Sequence, residues 1–124
     1  MSQEEPLEKF GQFITEKLRD NQFRFAEDVL AGKYKSQRLI DLHEQLLLLN
    51  EKQKSIALNF VKTVVDTGIH DFLFAIVERA DFEGDLNILV DGEDVVQLSD
   101  GIHGEAYGED GWNAKFSKYG DVEY

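Results

Sequence analysis

Cysteine is absent from this chain of 124 residues. Its absence excludes disulfides, thiolate nucleophiles and the common structural zinc sites. Long apolar runs are missing too, since no stretch approaches the roughly 20 apolar residues that span a bilayer. The first residues, Met1 to Pro6, have neither the positive flank nor the apolar run of a signal peptide. We therefore expect a cytoplasmic protein.

Basic residues are missing from a long internal stretch. The 35 residues from Ala80 to Ala114 contain no Lys or Arg, but they contain ten acids. Residues 1–80 hold 13 acids and 11 bases, a net charge of −2, whereas residues 81–124 hold 12 acids and two bases, a net charge of −10. This concentrated negative charge repels nucleic acid and anionic membranes, and it favours encounter with a strongly basic partner.

The overall composition predicts a packed domain rather than a disordered chain, because 42% of the residues are hydrophobic and nine are Phe. Glycine is as unevenly placed as charge, with three in residues 1–80 and seven in residues 81–124. We expect one α+β domain, residues 1–124, that folds alone. Four or five helices over residues 1–80 would pack on a short β-hairpin, followed by a Gly-rich acidic segment.

Apolar residues recur at helical spacing near the N-terminus. They predict an amphipathic helix over about residues 5–19. A second helix, capped by Asp20 or Asn21, is predicted to stop at Gly32.

The helical pattern continues to residue 80. Ser36 is a candidate cap for a third helix, and the apolar run Leu46 to Leu49 suggests deep burial. Asn50 offers a cap for a fourth helix that closes near Thr67-Gly68. The segment Ile69 to Ala80 is either a fifth helix or a continuation of the fourth, since Gly costs only about 1 kcal/mol within a helix.

After residue 80 the pattern changes to short apolar runs and turns. Leu86 to Val90 and Val95 to Leu98 are rich in β-branched residues, and Asp91-Gly92 between them predicts a hairpin turn. From Ser99 to Tyr124 the sequence is rich in Gly. Helical spacing of its aromatic residues favours a short helix there, although alternation from Trp112 to Phe116 also fits a strand.

Residues for catalysis or for cofactor binding do not form a clear set. His103 lies in the acidic segment, where Asp100 or Glu105 would orient it as a base. No nucleophile motif accompanies it, and neither of the common phosphate-loop patterns is present. The acids near Gly92 and Gly111 resemble a calcium loop in composition but lack its spacing. We predict no catalytic residue, no metal site and no cofactor.

The acidic segment does combine carboxylates with aromatic residues. Aromatic side chains supply the anchors of protein interfaces, and surrounding acids supply steering and specificity towards a basic partner. We expect Trp112 to lie at this surface with Tyr107 and His103, rather than in the centre of the core. The predicted partner-binding residues are Asp91, Glu93, Asp94, Asp100, His103, Glu105, Tyr107, Glu109, Asp110 and Trp112.

A small, cysteine-free, acidic chain with a helical body and the stretch Asp100 to Trp112, followed by Lys115 to Tyr119, resembles bacterial immunity proteins. The resemblance is one of size and charge, and it carries over no functional residue. It implies a cytosolic protein that blocks a cationic, nuclease-like toxin by covering its basic site. The alternatives are a nucleic-acid mimic that inhibits a host enzyme, a small acid-base enzyme that uses His103, and an acidic domain with no special partner.

Overall fold

The computed structural model describes residues 5–121. Within them the chain is mostly helical, with one small antiparallel sheet, which agrees with a broadly α+β architecture. No helix in this range is both long and apolar enough to cross a membrane.

The N-terminal helices form one continuous rod. Helix α1 (Glu5–Ile14) passes through a π-helix (Thr15–Asp20) into α2 (Asn21–Leu30), and the junction residues keep helical dihedrals. The predicted break near Asp20 is therefore wrong, because its side chain caps no helix and is buried instead. The predicted stop at Gly32 is confirmed by its positive φ of 73°, which Gly adopts without strain.

Helix α3 (Gln37–Leu46) follows Ser36, which has the extended backbone of a cap residue but makes no capping hydrogen bond through its side chain. The leucines at its end were expected to be deeply buried. Instead α3 ends at Leu46, and Leu48 is 86% exposed in the connection to the next helix. Deep burial is therefore wrong: Leu47 and Leu48 are exposed where the chain turns, and Leu46 and Leu49 are only half-buried.

The longest element is α4 (Glu51–Phe82). The predicted cap at Asn50 is confirmed, since Asn50 and Gln53 exchange side-chain to backbone hydrogen bonds of 2.8 and 2.9 Å. The helix continues through Gly68, so the alternative of one long helix is correct. It ends before Gly84, whose φ of 68° closes the last turn.

A minimal hairpin follows α4. Strands β1 (Leu89–Val90) and β2 (Glu93–Asp94) pair antiparallel, and Asp91 and Gly92 both have the positive φ of a type I′ turn. The turn is confirmed, but the second predicted strand is wrong. The Asp94 carboxylate accepts a hydrogen bond from the Val96 backbone N–H, which starts the short helix α5 (Val95–Leu98) instead.

The C-terminal part is compact. It contains a 3₁₀ turn (Ile102–Gly104) and the helix α6 (Trp112–Phe116), which confirms the predicted short helix. The 3₁₀ turn packs on α4, while α5 and α6 pack on α1. These contacts enclose a core to which all of these elements contribute, with the members Leu7, Leu73, Ile76, Val95, Val96, Ile102, Ala106 and Trp112.

Candidate partner-binding surface

Three of the predicted partner-binding acids have roles within the fold. Asp91 accepts a hydrogen bond from the Lys9 ammonium at 2.5 Å, and this bond raises the pKa of Lys9. Asp94 caps α5. Glu105 accepts a hydrogen bond from the Ser99 hydroxyl at 2.7 Å. These acids stabilise turns of the acidic part, so they are less free to pair with a partner.

Six other acids of this part are exposed to solvent without a basic neighbour in the described residues. Within residues 5–121, none of them forms an ion pair. Asp85 differs, because a hydrogen bond from Arg79 lowers its pKa. We call the unpaired set the free acidic surface; it consists of Asp81, Glu83, Glu93, Asp100, Glu109 and Asp110.

The free acidic surface is distributed over the end of α4, the hairpin and the turns that follow. Asp81 is at the end of α4, Glu93 begins β2, and Asp100 precedes the 3₁₀ turn. Glu109 and Asp110 lie in the loop before α6, where Gly108 takes a φ of 90°. All six side chains are exposed, so the carboxylates are hydrated and accessible. That the acids act together on one partner stays a prediction.

His103 and Tyr107 come together against α4, where both rings lie near His70. The His103 ring lies edge-on to Phe74 and His70, with centroid distances of 5.0 and 5.5 Å, and Tyr107 lies 6.2 Å from His70. The Nδ1 atom of His103 is buried and has no hydrogen-bond partner in the described residues. The expectation that Asp100 or Glu105 orients this imidazole is therefore wrong, since Glu105 is held by Ser99.

Trp112 is not at the surface. It is 1% exposed in the centre of the core and meets Phe10 edge-on at 5.9 Å. Its indole lies so close to Gly11 that a Cβ there would overlap the ring. The expectation that Trp112 lies at the surface is wrong: Gly11 leaves room for the indole in the core, and the adjacent Asn113 is buried as well, with its amide donating to Asp121 at 3.2 Å.

A buried polar network that the sequence reasoning missed fastens the C-terminal segment to the π-helix. Arg19 donates to both carboxylate oxygens of Asp66, at 2.5 and 3.2 Å, and their side chains are only 3% and 6% exposed. Arg19 also donates to the Ser117 hydroxyl and to the Gly120 carbonyl. Asp20 accepts from the Ser117 hydroxyl at 2.6 Å. Asp66 thus compensates the charge of Arg19, and Asp20 is held by hydrogen bonds from the Ser117 hydroxyl and the Lys118 backbone N–H.

Tyr119 extends the network. Its hydroxyl donates to Glu27 at 2.5 Å, and its ring lies edge-on to Phe23. Burial, together with this hydrogen bond, raises the pKa of Tyr119 to about 12. A signal for the network did exist in the sequence: Asp66 shares the helical spacing of Ile69 and Leu73, which places an acid on the buried face of α4.

Comparison of the chain with protein-family models, curated proteins and solved structures gives no match. Within residues 5–121, no three His, Asp or Glu residues lie close enough together to hold a metal ion.

Proposed function

We propose that this chain is an acidic protein-binding module of the immunity type, which neutralises a cationic, nuclease-like toxin by covering its basic site. The observation that carries this proposal is the free acidic surface. Its six carboxylates face water, and no ion pair within residues 5–121 offsets them. They belong to a part of the chain whose net charge is −10.

Exposed, unpaired acids suit a partner that must itself be basic. A nuclease binds phosphates through Lys and Arg, so a surface of carboxylates competes for the same residues. Steering by such a field raises association rates by about 10- to 1,000-fold at low salt. The acids that the fold already uses, Asp91, Asp94 and Glu105, hold the turns in place, and the free acids next to them make the contacts.

A nucleic-acid mimic would need the same charge, so gene neighbourhood separates the two functions. An immunity gene lies beside the gene of its toxin, whereas a mimic inhibits an enzyme encoded elsewhere. The acid-base enzyme depends on His103, for which we find no orienting carboxylate in the described residues. These differences favour the immunity function.

The experiment uses the purified basic domain encoded next to this gene and measures its association rate with the chain. One variant neutralises four free acids, through Glu93→Gln, Asp100→Asn, Glu109→Gln and Asp110→Asn. A matched control removes four exposed acids of the helical part, through Asp41→Asn, Glu44→Gln, Asp71→Asn and Glu78→Gln.

The first variant should associate about tenfold more slowly or worse, because it loses local field at the contact. The control has the same net charge and should stay close to the wild type. Equal rates for the two variants would contradict the proposal, and so would a neighbouring gene that encodes no basic protein. Circular dichroism verifies that both variants keep their helices.

A further inference from the structure

The outer face of α4 has an apolar stripe that the other elements within residues 5–121 leave largely uncovered. Its members are exposed or half-exposed, and none carries charge. Their spacing of three or four residues keeps them on one side of the helix over about 27 Å, at 1.5 Å per residue. The stripe consists of Ala57, Val61, Val64, Gly68, Phe72 and Ala75.

Apolar side chains of the N-terminal rod flank this stripe. Phe25 and Val61 line one shallow groove between α2, α3 and α4, of about 210 Å³. Phe13, Leu18 and Phe72 line a second groove of about 340 Å³, further along α4. The rod and α4 run antiparallel, so the two grooves extend the stripe at its two ends.

The exposed area is that of an interface. Phe60 lies one helical turn before Val64, at the edge of the stripe. Phe13, Phe60 and Phe72 are each more than 60% exposed, and Val64 is 54% exposed. Together with the other stripe members and the groove residues Phe25 and Leu18, they present roughly 800 Å² of apolar surface, taking about 200 Å² for a whole Phe. Monomers rarely expose contiguous apolar patches beyond about 300–600 Å². A standard interface buries about 800 Å² on each partner.

The stripe is complementary to itself about Gly68. In a two-fold pair of antiparallel helices, residues at equal steps before and after the axis meet each other. An axis at Gly68 sets Val64 against Phe72 and Val61 against Ala75, so that large side chains meet smaller ones. Gly68 has no neighbouring atom within 4 Å of a Cβ position, which leaves room for the backbones to approach.

We propose that two copies of this chain form a homodimer through the α4 stripe, with their α4 helices crossing at Gly68. A second copy fits better than a basic partner, because the stripe offers no carboxylate. Residues 51–80 hold four acids and four bases, so this part of one copy does not repel that of the other. An anionic membrane is disfavoured by the net charge of −12.

The first test is the mass of the full chain in solution, by sedimentation or light scattering at micromolar concentration. The wild type should be a dimer, and Phe72→Glu should be a monomer because it buries two unpaired charges in the interface. Leu48→Glu is the matched control, since Leu48 is the most exposed of the large apolar side chains in the described residues and lies off the stripe. It should stay dimeric.

The second test uses the absence of native cysteine. Gly68→Cys should form a disulfide-linked dimer on mild oxidation, because the two-fold axis brings its sulfur beside that of the second copy. Thr63→Cys, on the opposite side of α4, should remain uncrosslinked.

A monomeric wild type would overturn the proposal, as would a dimer that survives Phe72→Glu. Crosslinking of Thr63→Cys rather than Gly68→Cys would overturn the assigned face. The result is independent of the proposed function. Dimer formation should strengthen with added salt, which screens repulsion between the acidic parts, whereas binding of a basic protein should weaken.

Discussion

Replacing Asp66 by alanine should unfold the network that fastens the C-terminal segment. Asp66 is the only carboxylate that pairs with the Arg19 guanidinium among the described residues, and both side chains are almost fully buried. Without Asp66 a charged group remains in the interior with only the Ser117 hydroxyl and the Gly120 carbonyl as acceptors. An uncompensated buried charge is one of the costliest defects in a protein.

The expected loss is about 3–5 kcal/mol in the free energy of unfolding, as for other buried pairs broken on one side. The two remaining acceptors argue for the lower end of that range, because each still satisfies one N–H of Arg19. For a chain of this size a loss of about 3 kcal/mol shifts the urea midpoint by about 1 M or more. This is well above experimental error.

The assay is urea denaturation followed by circular dichroism at fixed protein concentration, so that association does not shift the midpoint. Asp85→Ala is the matched control, because Arg79 donates to both oxygens of Asp85 at 2.9 and 2.6 Å. That pair has the same chemistry, but its side chains are more than half exposed. Its removal should leave the midpoint unchanged, since water solvates the remaining charge.

The comparison separates burial from pairing. A midpoint for Asp66→Ala no lower than that for Asp85→Ala would refute the reasoning, because the two pairs differ chiefly in exposure. Hydrogen exchange adds a local readout: the Lys118 amide, which donates to Asp20, should lose protection in Asp66→Ala.

Three further predictions concern the hydrophobic core and the polar network beside it. Trp112→Ala should cost about 3–5 kcal/mol of stability, measured by urea denaturation, because it empties the centre of the core; a loss near zero would contradict its burial. Gly11→Ala should gain about 1 kcal/mol in helix propensity, but its Cβ would overlap the Trp112 ring, and overpacking costs about 1–3 kcal/mol. The urea midpoint should therefore fall, and a rise would refute the close contact. Tyr119 holds its proton more tightly in the folded state, with a pKa raised from 10.0 to about 12, so its stabilising contribution is complete below pH 10 and disappears as pH rises through about 12. Ultraviolet titration should show a late ionisation step that Tyr119→Phe removes, and a wild type without a step that depends on Tyr119 would contradict the burial of this phenol.

Local chemical signals made part of the fold predictable. Asn50 marks a helix start because its side chain accepts a hydrogen bond from a backbone N–H of the first turn. Gly32 marks a helix end because it adopts a positive φ without strain. Neither effect depends on where the helix packs. Asp91-Gly92 determines its turn in the same local way. Such signals do not depend on distant parts of the chain, so the sequence is sufficient to find them.

Elements decided by distant contacts were not predictable. The π-helix brings Thr15, Arg19 and Asp20 into the interior. There Arg19 pairs with Asp66, which is 47 residues away in sequence, and Asp20 bonds Ser117, which is 97 residues away. Periodicity with 3.6 residues per turn cannot anticipate that rotation.

In the candidate site, too, some features were predictable from local sequence and others depended on distant contacts. Exposure of Glu109 and Asp110 follows from charge alone, because unpaired carboxylates are seldom buried. The burial of Trp112 depends on Gly11, about 100 residues earlier, whose missing side chain makes room for the indole. Its polar neighbours Asp110 and Asn113 suggested the surface instead; Asp110 is exposed, whereas the Asn113 amide finds Asp121 only in the folded state.

The measurement that tests the central claim most directly is the salt dependence of association between the chain and the basic protein encoded beside it. Association rates would be measured by stopped flow from low salt to several tenths molar. The screening length is about 10 Å at roughly 0.1 M, so this range covers weak and strong screening. If the free acidic surface steers binding, the association rate falls steeply over that range while the dissociation rate changes little. An association rate that is flat across the series, or a neighbouring product that does not bind, would contradict the claim.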